Sequence, residues 1–276
     1  MREEEKPHFD RVVGLPEKDR ASREEIEKIL SQKLKGIGGE RIEKFEIDKT
    51  ERDIEIINFA KDAISEYTRK YTRKKYDIPL QNIHVFNLGG VEEFTQKRLE
   101  NGAASIERGS IVMDRIKSDA VFAKILFHEI IHLNSYTALQ LKTGKEPSIG
   151  LYRSGIRVQT RNGEKILFTD INEAITELIT RRFYQEKIIP SEIFDKEDKK
   201  NLLNSRAEEM AKLEALIDGL WEGNKDRFKT REDLENLFFE SQFTGNLLKI
   251  GRLIEKTFGK GSFRKLGEGN LIEIKK

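Results

Sequence analysis

The strongest constraint on the fold is one long apolar segment in the middle of the chain. Ser118 and Asp119 form a helix N-cap signal, and the residues from Ala120 to Leu141 are apolar on nearly every face of the helix that they predict. A helix of this kind has to be buried. We therefore expect the core of the protein to form around it.

Two of the four histidines of the chain lie on this helix, in the sequence FHEIIHLNSY. His128 and His132 are four residues apart, so their imidazoles share one face and can bind one ion. Glu129 points about 100° away from His128, which places its carboxylate at the rim of such a site. The alternative is two ordinary core histidines, but these groups are costly to bury without a metal or polar partners. The H-E-x-x-H pattern on a buried helix predicts zinc and metal-assisted hydrolysis.

The composition restricts the remaining ligand of this site. A catalytic zinc takes three protein ligands and keeps one position open. The chain has no cysteine and no histidine after His132, so we expect a carboxylate from a later helix. The segment INEAITE offers Glu173 and Glu177, four residues apart. Asp170 and Glu177 are alternative ligands, and Glu173 has the alternative role of closing a capping box with Asp170.

The order of these motifs, HEIIH followed by NEAITE, resembles the gluzincin metallopeptidases, which are thermolysin-like in plan. In that family H-E-x-x-H is completed by N-E-x-x-[ST]-[DE]. The resemblance covers about 83–187. It implies that one Zn²⁺ ion is bound by His128, His132 and Glu173, and that Glu129 is the general base. It further implies that the protein hydrolyses peptide bonds.

The resemblance also assigns supporting roles. Glu177 would hold a ligand imidazole in its tautomer. Asn172 would orient substrate or backbone. The strand that precedes the active helix, GSIVMD at 109–114, would border the cleft and pair with an extended substrate. An interior strand is the alternative interpretation of that segment.

One part of the family pattern is missing from this chain. The histidine that stabilises the oxyanion downstream of the zinc-binding glutamate has no counterpart, and Tyr184 lies too far along its helix to replace it. Tyr152, Arg153 and Arg157 are better placed, and Tyr136 is a further possibility. Of these, we expect Tyr152 to stabilise the oxyanion.

The pattern of elements predicts an α+β protein with a zincin-like core. That core would contain a small mixed β-sheet, the buried active-site helix, a β-hairpin around Asn162-Gly163, and a second ligand helix that starts at Thr169-Asp170. We expect a charged N-terminal helical region at 1–78, the catalytic core at 79–189 and a C-terminal helical subdomain at 190–276. The N-terminal region would include a helix at 22–35.

Charge and hydropathy limit the partners. The 51 basic and 49 acidic residues leave a net charge of +2, which argues against nucleic acid as a partner. This holds despite the basic KYTRKKY run at 70–76. No apolar run reaches transmembrane length, and the N-terminus lacks a signal-like segment, so we expect a cytoplasmic protein without membrane association. A peptide or protein would be the substrate. The alternatives are a substrate-specific, toxin-like zinc protease and a degenerate, zinc-stabilised peptide-binding protein.

Overall fold

Helices and two small mixed sheets make up the protein in the computed structural model, which describes residues 9–13, 39–72, 77–96, 101–142, 148–200 and 206–270. The strands are β1 (Arg11–Val13), β2 (Ile83–Phe86), β3 (Gly102–Ser105), β4 (Ser110–Asp114), β5 (Thr137–Lys142), β6 (Ser148–Ser154), β7 (Arg157–Gln159) and β8 (Ile166–Leu167). The helices are α1 (Gly39–Glu43), α2 (Glu51–Arg69), α3 (Gly90–Thr95), α4 (Asp119–Asn134), α5 (Thr169–Phe183), α6 (Ala207–Glu222), α7 (Arg231–Thr244), α8 (Leu247–Phe258) and α9 (Ser262–Gly267). The predicted α+β class is confirmed. The helix predicted at 22–35 and residues 73–76 of the KYTRKKY run lie outside the described residues.

The strands form two separate sheets. The smaller sheet has the order β2-β4-β3, with β2 parallel and β3 antiparallel to β4. The larger sheet has the order β1-β5-β6-β7-β8, in which β1 pairs in parallel with β5 and the other pairs are antiparallel. The predicted hairpin is confirmed, since Val158 on β7 pairs with Leu167 on β8 and Gly163 in the loop has a positive φ of 78°.

The predicted substrate strand GSIVMD is β4, and its position contradicts that role. It lies between β2 and β3, so both of its edges are already hydrogen-bonded. The interior interpretation is therefore correct. In the described part of the chain, β3 is the strand at the open edge beside α4. It starts at Gly102, directly after Asn101.

The apolar segment forms a helix for only part of its predicted length. Helix α4 ends at Asn134, and the residues from Thr137 onward form β5 instead. The backbone N–H of Asp10 donates to the Thr137 carbonyl at 2.7 Å, and the Thr137 N–H donates to the Asp10 carboxylate at 2.8 Å. Pairing with β1 on one side and β6 on the other thus decides the conformation of a segment whose own propensity is ambiguous.

Helix α4 lies at the centre of the hydrophobic core, as the sequence predicts. Its side chains Phe122, Leu126, Phe127, Ile130 and Ile131 are fully buried. The same core takes in buried residues of α2, α5, α6, α7 and α8. The three predicted regions, 1–78, 79–189 and 190–276, all contribute residues to this one core. The boundaries between these regions stay a prediction. Among the described helices, none has the length and apolar character of a membrane span.

Helix α5 begins at Thr169, as the sequence predicts, but the residue before it provides the cap. Phe168, in a left-handed conformation with φ 63°, is the N-cap residue, and its N–H donates to the Gly267 carbonyl at 2.7 Å. Neither Thr169 nor Asp170 caps the helix, and no side-chain hydrogen bond closes its N-terminus. The contact with α9 fixes the start of α5 and hence the level at which its glutamates face α4.

Candidate metal centre

Helices α4 and α5 face each other with one polar row each. The row on α4 consists of Lys124, His128 and His132, spaced one turn apart, and the facing row on α5 includes Glu173 and Glu177. Glu173 faces the two histidines, whereas Glu177 lies between His128 and Lys124. The two rows therefore run in opposite directions and pair acidic with basic or neutral groups along their length.

Three ligand atoms form a nearly equilateral triangle at one end of these rows. The Nε2 atoms of His128 and His132 are 3.3 Å apart, and Oε2 of Glu173 lies 3.7 Å and 3.5 Å from them, respectively. A tetrahedral zinc with bonds of about 2.0–2.1 Å separates its ligand atoms by about 3.3–3.4 Å. The triangle therefore fits a zinc ion with little adjustment. Among the described residues, these three side chains are the group found close enough together to bind one metal ion.

The alternative assignments of the carboxylates do not fit this geometry. Asp170 accepts a hydrogen bond from Lys212 at 3.0 Å and lies outside the triangle. Glu177 approaches Nδ1 of His128, the nitrogen that points away from the triangle, at 3.7 Å. Glu173 faces the imidazoles and takes no part in capping α5. The structure thus brings together His128, His132 and Glu173.

The cluster concentrates negative charge around the imidazoles. Burial alone would lower the pKa of His128, but the carboxylates of Glu173 and Glu177 outweigh it and raise that pKa to about 9. Burial would likewise raise the pKa of Glu173, but His132, His128 and Arg206 hold it well below its ordinary value. Without an ion, the site therefore holds a proton on His128 at neutral pH. This is the behaviour of a cluster that favours a cation between its ligands.

Behind the triangle lies a second charge cluster, centred on the buried carboxylate of Glu177. Glu177 is 1% exposed, and it accepts hydrogen bonds from Lys124 at 3.0 Å and from Arg181 at 3.1 Å. Burial would raise the pKa of Glu177, but His128 and Lys124 lower it to about 2. An ionised carboxylate is thus held beside Nδ1 of His128, where it favours the tautomer that leaves Nε2 available for an ion.

Glu129 lies at the side of the triangle, against the edge strand. It is 9% exposed and is not a member of the ligand group. Its neighbour on β3 is Gly102, where a Cβ atom would lie 3.2 Å from Cγ of Glu129 and 3.0 Å from Cγ2 of Ile125. The absence of a side chain at Gly102 therefore lets β3 pass directly over the predicted general base.

Arg206 is a site residue that the sequence analysis did not identify. Its Nη2 donates to Oε2 of Glu173 at 3.1 Å, the same oxygen that faces both imidazoles. It occupies the N-cap position of α6 in a left-handed conformation, with φ 59°. No motif marks this arginine, and only the packing of α6 against α5 brings it to the site.

Asn172 orients backbone, which is one of its two predicted roles. The side chain is 1% exposed, and its Oδ1 accepts from the N–H groups of Ile156 and Arg157 at 3.2 Å and 3.4 Å. Asn172, which directly precedes Glu173, thereby joins the start of α5 to the turn between β6 and β7.

The residues proposed for the oxyanion have other surroundings. Tyr152 lies on β6 and, with Arg157, lines a hollow of about 330 Å³, and no hydrogen bond among the described residues joins it to the triangle. Arg153 stacks on the ring of Tyr136 at 4.9 Å. The hydroxyl of Tyr184 donates to the Lys199 carbonyl at 2.8 Å. The role of Tyr152 stays a prediction without a supporting contact.

Comparisons with protein-family models, with curated proteins and with solved structures find no match to the chain. The chemistry of the site therefore has to be argued from its own residues.

Proposed function

We propose that this protein is a zinc-dependent metallopeptidase of the gluzincin type, built on a zincin-like core. The observation that carries the proposal is the triangle of His128, His132 and Glu173, whose edges match those of a tetrahedral zinc site. The described residues supply three ligands to it, which leaves one position for water or substrate. A structural zinc site would instead be closed by four protein ligands.

The residues around the triangle suit hydrolysis of a peptide bond. When bound, zinc lowers the pKa of water and polarises a carbonyl group. Glu129 is the general base: its carboxylate accepts the proton of the attacking water and passes it to the leaving amine. The carboxylate of Glu177, 3.7 Å from Nδ1 of His128, favours the tautomer with its proton on Nδ1 and so keeps Nε2 directed at the ion. Each polar group of the two facing rows thus has a defined part.

The edge strand β3 supports a peptide as the substrate. It lies at the open edge of the smaller sheet and passes over Glu129 at Gly102. An extended peptide can add to such an edge through main-chain hydrogen bonds, which holds a scissile bond beside the base. We assign to β3 the role that the sequence had suggested for GSIVMD.

The test combines metal content with cleavage. Zinc is measured by mass spectrometry on wild type, E173A and E129Q after reconstitution, and cleavage is profiled on a peptide library. We expect near-stoichiometric zinc in wild type and E129Q, a large loss in E173A, and cleavage by wild type alone.

Each assignment can fail separately in this experiment. Full zinc content in E173A would remove Glu173 from the ligand set. Unchanged cleavage by E129Q would remove Glu129 as the base. A zinc-loaded wild type that cleaves no library peptide, and no protein in a proteome digest, would favour a peptide-binding protein over a peptidase.

A further inference from the structure

The position of Arg206 relative to the metal site can be bounded from the contacts. Nη2 of Arg206 lies 3.1 Å from Oε2 of Glu173, and a zinc ion bound to that oxygen would lie about 2.0–2.2 Å from it. The guanidinium nitrogen would then be at most about 5 Å from the ion. The Arg206 side chain is 24% exposed, so part of it is accessible to a molecule that enters the site.

A guanidinium at this distance opposes metal binding. It repels the divalent cation and shares the oxygen that Glu173 presents to the two imidazoles. An arginine is always charged, so deprotonation cannot relieve the repulsion. A residue whose only task was to support the metal would therefore not be an arginine at this position.

A purely structural tether does not account for Arg206 either. Helix α6 already packs on α5 through buried residues that include Met210, Leu213 and Ile217. A second ion pair, between Lys212 and Asp170, joins the same helices at 3.0 Å at the surface. The left-handed backbone of Arg206 is moreover unfavourable for a residue with a Cβ atom, and such strain is found preferentially at functional sites.

We propose that Arg206 is a catalytic residue that stabilises negative charge on a ligand bound at the metal site. This role of Arg206 rests on the proposed function, because the ligand would be the peptide carbonyl group. Its oxygen becomes negative as water adds to the carbonyl carbon. The guanidinium carries its N–H donors in a planar fork, and Nη2 lies 3.1 Å from the Glu173 oxygen that faces both imidazoles. Arg206 thus takes the part for which the chain has no downstream histidine.

The proposal predicts effects of opposite sign on metal and anion binding. The variants are R206M and R206K, with R264M as the matched control, because Arg264 is exposed and pairs only with its helical neighbour Glu268 among the described residues. Zinc affinity is measured by competition with a chromophoric chelator. Azide affinity is measured on the cobalt-loaded proteins from their visible spectra.

We expect R206M to bind zinc as tightly as wild type or up to about tenfold more tightly, since a repulsive charge is removed. Azide should bind at least about tenfold more weakly to cobalt-loaded R206M, and peptide turnover should fall about 10²- to 10³-fold, as when one oxyanion donor is lost. R206K should lie between R206M and wild type in azide affinity, and R264M should match wild type.

The opposite pattern would overturn the proposal. Weaker zinc binding by R206M together with unchanged azide binding would make Arg206 a support for Glu173. The azide measurement needs no peptide substrate, so it decides on Arg206 even if wild type cleaves nothing. Absence of cleavage by the zinc-loaded wild type would count against the peptidase and leave the anion-binding result intact.

Discussion

The carboxylate of Glu177 lies 3.7 Å from Nδ1 of His128, on the side of the imidazole that faces away from the metal triangle. This carboxylate is buried and ionised, because Lys124 and Arg181 both donate hydrogen bonds to it. The orientation of a ligand imidazole therefore depends on two cations that lie outside the triangle. We therefore expect stability and metal affinity to be coupled through Glu177.

Replacing Glu177 by glutamine should weaken both properties. Loss of the carboxylate removes the negative charge that lies 3.0 Å from the ammonium group of Lys124, a side chain that is 3% exposed. We expect the free energy of unfolding to fall by about 3–5 kcal/mol, the usual effect of breaking a buried ion pair. Zinc affinity should fall about 10- to 100-fold, because His128 loses the carboxylate that lies beside Nδ1. Urea unfolding of the metal-free protein and chelator competition measure the two effects.

The variant K124M separates these effects. It removes the buried cation but keeps Glu177 beside His128, where Arg181 still donates to it. We expect K124M to lose stability while its zinc affinity changes less than that of E177Q. Equal zinc affinity in E177Q and wild type would show that Glu177 does not orient the imidazole.

Zinc binding should release a proton at neutral pH. The pKa of His128 is raised to about 9 by Glu173 and Glu177, so this imidazole is protonated in the metal-free protein at pH 7. An imidazole has to lose its proton to ligate a metal, so zinc and proton compete. Zinc affinity should therefore rise between pH 7 and about 9 and level off above that range. Calorimetry in two buffers of different ionisation enthalpy should report about one proton released per ion at pH 7.

The release of a proton on zinc binding should depend on the carboxylates of Glu173 and Glu177. In E177Q the imidazole loses one of the groups that raise its pKa, so fewer protons should be released at pH 7. Binding of zinc without any proton release by wild type would contradict a protonated His128.

Introducing a side chain at Gly102 should displace Glu129, the proposed general base. The added Cβ in G102A would lie 3.2 Å from Cγ of Glu129 and 3.0 Å from Ile125, closer than ordinary contact allows. A shift of a few tenths of an ångström at a catalytic carboxylate should lower kcat by about tenfold, since about 1 Å can cost a hundredfold. Zinc content should not change, because Glu129 is not a ligand. The control is G150A, since a Cβ on Gly150 meets no atom within 4 Å.

The cluster of His128, His132 and Glu173 could be predicted from sequence because most of its residues occur at helical spacing. His128 and His132 share a helix face by geometry, and Glu173 and Glu177 share another. Only the facing of the two helices had to be supplied by the resemblance to a known family. Arg206 could not be predicted, since it comes from a third helix and is brought to Glu173 only by packing.

The strands were harder to predict than the site. The residues from Thr137 to Leu141 continue an apolar helical pattern, yet they pair with the N-terminal strand and form β5. Likewise β3 begins at Gly102, directly after Asn101, a dipeptide that favours a turn. For β5, a distant partner strand outweighs the local preference of the sequence, and that partner is visible only in the folded chain. For β3, pairing with the neighbouring strand β4 outweighs the turn preference at Asn101-Gly102.

The last prediction concerns the N-terminus of α4 and its dependence on pH. Asp119 accepts hydrogen bonds from Arg52 at 2.7 Å and from Arg115 at 2.5 Å. Burial alone would raise the pKa of Asp119, but these two guanidinium groups lower it below its ordinary value. Its contribution to stability is therefore present above the unfolded pKa of about 3.9 and is lost as the pH falls below that value.

We expect D119N to lower the free energy of unfolding by about 1–3 kcal/mol at pH 7, as for hydrogen bonds to charged groups. The difference from wild type should shrink as the pH falls below about 4, which urea titrations at several pH values can measure. The control E55Q removes an exposed partner of Arg52 and should change stability by about 0–1 kcal/mol. Zinc content of D119N should equal that of wild type, because Asp119 lies about 13 Å along the helix from His128. A difference that stayed constant from pH 7 to pH 3 would show that the charge of Asp119 does not contribute.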